Sequence, residues 1–290
     1  MTLISLLTCL AVGAAESLVS GPVELVCDNF QFTEGPLYLR DDTLIFSDIP
    51  ADTIFTAYRE IYRKPSGQSN GLTLDSKNRL ICCEHKTRRV TRTEEDGSIT
   101  VLAEKYQNKR LNSPNDVVVH SSGTIYFTDP PYGLPGGLQN PECELGFSGV
   151  YKIDLSGNLV LLDKELVTPN GLAFSPDENN IYIADTQNKV LFRYDVVEEG
   201  NLANKTTFCS LPGPDGLKVD NDGNVWSTAS DGLRIYNPSG ELIETVAFPE
   251  VPANCAFGAA DSKTLFVTAR KSVYKIQTLV VGIQPAGNRK

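Results

Sequence analysis

Six positions along the chain carry a side-chain oxygen at the head of a similar stretch of sequence: Glu34, Asn70, Asn115, Asn170, Asp215 and Asn254. The stretches read EGPLYLRDDTLIFSD, NGLTLDSKNRLICCE, NDVVVHSSGTIYFTD, NGLAFSPDENNIYIAD, DGLKVDNDGNVWSTA and NCAFGAADSKTLFVTA. Two carboxylates and four carboxamides brought together would make a hard-cation site, since such oxygens coordinate Ca²⁺ and Mg²⁺ and two negative charges balance one divalent ion. Turn chemistry alone accounts for Asn70, Asn170 and Asp215, each followed by glycine, because Asn and Asp tolerate the backbone angles of a turn. It does not account for Glu34, a poor turn former, or for Asn254, which precedes Cys255. The residue types point to one divalent metal ion, Ca²⁺ ahead of Mg²⁺, Zn²⁺ or Mn²⁺.

Other chemistries fit less well. Gly67-Gln68-Ser69-Asn70-Gly71 matches the GxSxG pattern of a nucleophile elbow, but that motif needs a helix after it, and LTLD, which follows, reads as a strand. The two histidines, His85 and His120, both stand next to strand ends, so a Ser-His-Asp triad would need one of them to reach Ser69. Seven cysteines with no repeated CxxC spacing give neither a disulfide framework nor a zinc site. Adjacent Cys82 and Cys83 fall in a strand-like run, point to opposite faces and read as small buried hydrophobes. The sequon Asn204-Lys205-Thr206 is a glycosylation acceptor only in a secreted protein.

What must position the six oxygens is a repeated unit. Each copy is a polar residue, a short apolar strand, a turn rich in Asp, Asn, Ser and Gly, and a second strand; two more strand-like runs follow, such as GVYKID and LVLLD after the third copy. Four strands per unit in six units predict an all-β, six-bladed β-propeller. Helical periodicity is nearly absent. Equivalent positions of the blades then face the central channel, and the six oxygens converge on its axis. The sixth copy keeps only SVYKIQ after its first pair, while VELVCD at 23–28 precedes the first copy with no blade of its own. The N-terminal strand is therefore expected to complete the last blade and remove its open edge. The stretch 130–149, PPYGLPGGLQNPECELGFSG, is much longer than its counterparts. Its length predicts a functional loop over the metal-bearing end of the channel, with Tyr132 lining the substrate pocket.

A chain of 290 residues, 41% hydrophobic and 21% charged, can bury its own core, and no linker or low-complexity stretch divides it. Residues 21–280 read as one propeller hydrolase domain, 1–20 as a leader and 281–290 as a tail, with a monomer expected. A net charge of −10 and a pI near 4.8 argue against nucleic acid as a partner, which needs a basic stripe. The segment MTLISLLTCLAVGAA at 1–15 ends in small residues like a signal peptide but lacks a basic start, and its apolar run is too short to span a bilayer. A secreted or periplasmic location follows if that segment is a cleaved signal, a cytoplasmic one if it is not.

Four longer motifs occur in order, each on a separate blade: FTEGPLY, RLNSPNDVVVHSSGTIYFTDPPYGL, TPNGLAFSPDENNIYIADT and GPDGLKVDNDGNVW. Together they resemble the gluconolactonase/regucalcin/luciferin-regenerating-enzyme family over roughly residues 22–277, with SPNDVVV…YFTDPPYG closest to the gluconolactonase branch. The resemblance implies a metal-dependent lactonase with one divalent ion held by Glu34, Asn170 and Asp215. It makes Asn115 a fourth ligand or a substrate contact, and Asp215 also the proton acceptor and donor. In regucalcin an arginine two residues before the counterpart of Asn115 binds sugar lactones; here that position is Ser113. Arg110 is either its replacement in substrate binding or a solvated loop residue, and Asn70 and Asn254 are expected to contribute less to the ion. The implied substrate is a small-molecule lactone, a sugar-acid lactone such as an aldonolactone first. Phosphotriester or fluorophosphate hydrolysis on the same ion, or a non-enzymatic calcium-binding propeller, are alternatives that fold alone does not separate.

Overall fold

The computed structural model describes residues 17–288, so the segment at 1–15 lies outside the described residues. Short apolar runs broken by Asp, Asn and Gly turns give six four-stranded antiparallel sheets, each running from the channel outwards. Blade 1 runs from Thr33–Tyr38 through Leu44–Asp48 and Thr53–Thr56 to Ile61–Arg63, and blade 2 from Ser69–Leu74 to Ile99–Ala103. Blade 3 runs from Val117–Val119 to Leu159–Asp163, blade 4 from Pro169–Phe174 to Asn201–Ser210, and blade 5 from Leu217–Val219 to Leu242–Val246. In blade 6, Pro252–Gly258, Thr264–Ala269 and Ser272–Thr278 are joined on the outside by Val19–Cys27. That strand pairs antiparallel with Ser272–Thr278, Val19 opposite Thr278 and Cys27 opposite Val273. The ring is thus closed by its own N-terminal strand, which starts before the 23–28 read from the sequence. A short hairpin, Lys105–Tyr106 with Lys109–Arg110, links blades 2 and 3.

The core is a set of slabs between neighbouring blades. Inner strands are buried on both faces, so successive side chains enter different slabs. Cys82 packs with Leu37, Ile54 and Leu72 between blades 1 and 2, whereas Cys83 packs with Val90, Val117 and Phe127 between blades 2 and 3. Between blades 5 and 6 the fully buried Trp226 meets Phe257 edge-on at 5.4 Å. All six cysteines among the described residues are free.

Asn70 and Asn170 lie inside inner strands rather than in turns, and the glycine after each has a different purpose. Gly71 N donates to Asn115 O at 2.8 Å, and Gly171 N to Asp215 O at 3.1 Å. A Cβ on Gly71 would stand 2.7 Å from Asn115 O, and one on Gly171 2.4 Å from Asp215 O. At these positions glycine lets the start of one blade press against the start of the next, which draws the ring of oxygens tight.

The segment read as a C-terminal tail crosses the far ends of the inner strands. Ile283 N donates to Val219 O, Gln284 Nε2 to Phe257 O, and Gly282 bridges Asp220. It covers the channel end opposite the oxygen ring.

Candidate active site

The second strand of each blade ends beside the ring, and in three blades it ends in an aspartate that holds the chain entering the inner strand of the same blade. Asp48 accepts from Gln31 and Phe32 N, Asp129 from Asn112 and Ser113 N, and Asp185 from Val167 and Thr168 N. These carboxylates are therefore structural. One step past a second strand, Ile49 after Asp48, His85 after Glu84 and Thr186 after Asp185 line the cleft above the ring.

Glu34, Asn70, Asn115, Asn170 and Asp215 line one open cleft of about 410 Å³ together with Phe32, His85, Tyr132 and Thr186. That is room for a sugar ring. Asn254 is not a lining residue: its Oδ1 accepts Cys255 N at 2.8 Å and its amide faces Asp116 at 3.4 Å. The carboxamides are bonded in series, Asn70 Nδ2 to Asn115 Oδ1 at 2.7 Å and Asn115 Nδ2 to Asn170 Oδ1 at 2.6 Å.

Burial drives the electrostatics. Glu34, 3% exposed, is pushed well above the carboxylate range by burial and by the charges of Asp215 and Asp116, against the Gly35 N–H and the Asn254 amide. Asp215 is pushed up to about 7 by burial, the Asn170 amide opposing and Asp116 adding to the rise. Asp116, also raised by burial, sits directly behind the ring, with Lys218 drawing it down from a distance. Acids this close and this dry cannot all ionise without a compensating cation. Among the described residues no cluster of three or more His, Cys, Asp or Glu side chains is set to hold a metal ion. The donor set is two carboxylates with carboxamides, the hard-oxygen chemistry that suits Ca²⁺ or Mg²⁺.

Tyr132 lies in the cleft, its hydroxyl directed at Thr186, Thr168 and Asn170. Arg110 does not line it: its backbone N–H donates to Glu144 and its guanidinium to Thr87 O at 3.3 Å. Ser113 is buried, its Oγ donating to Pro130 O at 2.6 Å and accepting Gly133 N at 2.8 Å. It anchors the start of the long loop. Ser69 is bonded to Ser47 at 2.9 Å, and His85 faces Asn70, so no Ser-His pair forms there. Burial pushes His85 down to about 4, opposed by Asn115, which leaves the ring neutral at ordinary pH.

Three residues of this site escaped the sequence reading. Asp116 had a signal: the residue after each ring oxygen is Gly35, Gly71, Asp116, Gly171, Gly216 and Cys255, so an acid stands where small residues otherwise do. His85 and Thr186 had a weaker one, the shared register one step past a second strand.

Residues 32–271 match the SMP-30/Gluconolactonase/LRE-like region. The gluconolactonase of Zymomonas mobilis is 31% identical over 297 aligned residues, covering 91% of this chain and 83% of that protein. A gluconolactonase structure from Xanthomonas campestris superposes with a TM-score of 0.82 at 31% identity, covering 93% of each chain. The calcium-binding protein regucalcin from Agrobacterium tumefaciens shares the fold at a TM-score of 0.77 and 19% identity, over 93% of this chain and 98% of its own. With the oxygen-lined cleft and the six-bladed ring already in place, these likenesses settle the kinship: the chain belongs to the SMP-30/gluconolactonase/LRE-like family.

Proposed function

We infer that this chain is a lactone-hydrolysing enzyme of the gluconolactonase type, acting on a sugar-acid lactone with a divalent cation at the ring. The observation that carries the reading is the convergence of the Glu34 and Asp215 carboxylates with the Asn115 and Asn170 carboxamides at one cleft. Glu34, Asn170 and Asp215 would hold the ion, with Asn115 at or beside it; Ca²⁺ is the preferred ion, and regucalcin, a relative in fold, is described as calcium-binding. When bound, the cation supplies Lewis-acid stabilisation of the oxyanion that forms at the lactone carbonyl.

The protein's own groups do the rest. Asp215 takes the proton of the attacking water and returns it to the ring oxygen that leaves, which a buried carboxylate with raised basicity can do. Glu34 would supply the second carboxylate that holds the ion. Tyr132 and Asn115 orient the lactone, and Phe32, Ile49 and Pro50 form an apolar wall that keeps bulk water away. A pH-indicator screen of aldonolactones, aliphatic lactones and phosphotriesters, with and without chelator, tests the reading. Turnover of aldonolactones that EDTA abolishes and Ca²⁺ restores is expected. Turnover of phosphotriesters alone, or of lactones unaffected by chelator, would overturn it.

A further inference from the structure

The ring carboxamides belong to a hydrogen-bond chain that can run in one direction only. At one end, Thr186 Oγ1 lies 2.7 Å from the carbonyl of Pro214. A carbonyl only accepts, so the hydroxyl hydrogen is committed there and Thr186 offers Asn170 nothing but lone pairs. Asn170 Nδ2 donates to it at 3.0 Å. That leaves Asn170 Oδ1 to accept Asn115 Nδ2 at 2.6 Å, and Asn115 Oδ1 to accept Asn70 Nδ2 at 2.7 Å. The Asn70 amide nitrogen also faces His85 Nε2 at 3.2 Å, and a bare Nε2 accepts its hydrogen, which places the imidazole hydrogen on Nδ1. Turning any one of the three amides round would set oxygen against oxygen or nitrogen against nitrogen at these distances. One atom is left over, Asn70 Oδ1, which is buried without a partner. A native structure keeps such an orphan only where the opposite orientation is worse.

We propose that Thr186 and His85 are positioning residues, the two terminators of a one-way hydrogen-bond chain that holds the Asn115 and Asn170 carboxamides in a single orientation before cation or substrate arrives. Each of the two oxygens accepts one N–H and keeps its second lone pair. Bonds in series polarise one another, which makes those oxygens better donors to a cation. The chain begins on blade 2, passes through blades 3 and 4, and ends on the residue before Asp215, so it also ties the placement of the amides to that of the acid. What the chain serves rests on the metal and lactone reading above; its direction does not.

With two histidines in the sequence, the imidazole nitrogens are directly readable by ¹⁵N NMR of the metal-free protein. His85 is expected in the Nδ1–H form in the wild type and in Thr186→Ser, which keeps the hydroxyl. Thr186→Val removes the hydroxyl at the opposite end, frees the chain to reverse, and is expected to give a mixture of His85 tautomers. Ca²⁺ affinity should fall about tenfold in Thr186→Val and His85→Phe and recover in Thr186→Ser, the size usual for residues that orient ligands. An Nε2–H form of His85 in the wild type, or a Thr186→Val protein with unchanged tautomer and affinity, would overturn the proposal. If His85→Phe does not fold, the Thr186 pair decides alone. If the wild type binds no Ca²⁺ and opens no lactone, the reading of the reaction fails while the tautomer still decides the direction of the chain.

Discussion

In the proposed mechanism Asp215 meets two demands with one carboxylate, a charge for the cation and a basicity for water, and its burial beside Asp116 raises the second at the expense of the first. Asp215→Asn keeps the shape and removes both. Hydrolysis is expected to fall by at least about a hundredfold, while circular dichroism and the melting temperature stay at or above the wild-type values, because a desolvated charge has gone. Retained activity would remove Asp215 from the mechanism. Glu84 is the contrasting acid. Burial pushes its pKa up, but bonds from Thr87, Arg89 and Thr91 and the charge of Arg63 outweigh that and leave it below the ordinary value. Its side chain is fully buried, 2.6 Å from Arg63 and 2.7 Å from Arg89. A depressed folded-state pKa contributes stability that is present above the unfolded value and lost as pH falls through the folded one. Glu84→Gln should therefore destabilise by about 3 kcal/mol at pH 7. Urea unfolding should show that difference shrinking as pH drops below 4.5, the ordinary value for a glutamate. A difference independent of pH would mean the loss comes from packing.

At the scale of the strand, the glycine after four of the six ring oxygens sets how closely neighbouring blades approach. Gly171→Ala places a Cβ 2.4 Å from Asp215 O, and backbone on both sides must move to admit it. A loss of about 2 kcal/mol in unfolding free energy is expected, in the range of overpacked cores. Lactone turnover should fall with it, because the shift is transmitted to Asp215. Unchanged stability and rate would show that the blades slide freely there. The long loop at 130–149 is held by a similar closeness. A Cβ on Gly133 would stand 2.8 Å from Ser113 and 3.1 Å from His85, so this glycine brings Tyr132 over the ring.

For the whole molecule, closure by Val19–Cys27 means that the last blade is completed by residues far away in sequence from the rest of it. Removing residues up to Cys27 would leave Ser272–Thr278 as an unpaired edge and uncover Phe46, Phe266 and Val273 in the slab between blades 6 and 1. Such an edge is a template for pairing with another chain. The truncated protein is expected to melt well below the full chain and to run as aggregate on size-exclusion chromatography. A monomeric truncation with the full-length melting temperature would show that the strand is dispensable.

The repeat, the strand period and the orphan runs at both ends made the six-bladed closed ring legible in the sequence, because a propeller is built from local units whose pattern recurs at fixed spacing. The same repeat pointed to all six ring oxygens, since equivalent positions in a closed ring meet at its axis, and the family resemblance singled out Glu34, Asn115, Asn170 and Asp215 among them. Spacing along one chain carries no information on which neighbours of those positions turn inward. Only the packed blades show that Asn254 is drawn to Asp116, that Arg110 is committed to Thr87, and that His85 and Thr186 stand over the ring. The direction of the amide chain was decided later still, by a single carbonyl, Pro214 O, two blades away from Asn115. Residue types and periodicity determine the fold and the ring, because they act through local backbone geometry. Hydrogen-bond direction, burial and charge depend on which groups the closed ring presses together, and that exists only in the tertiary structure.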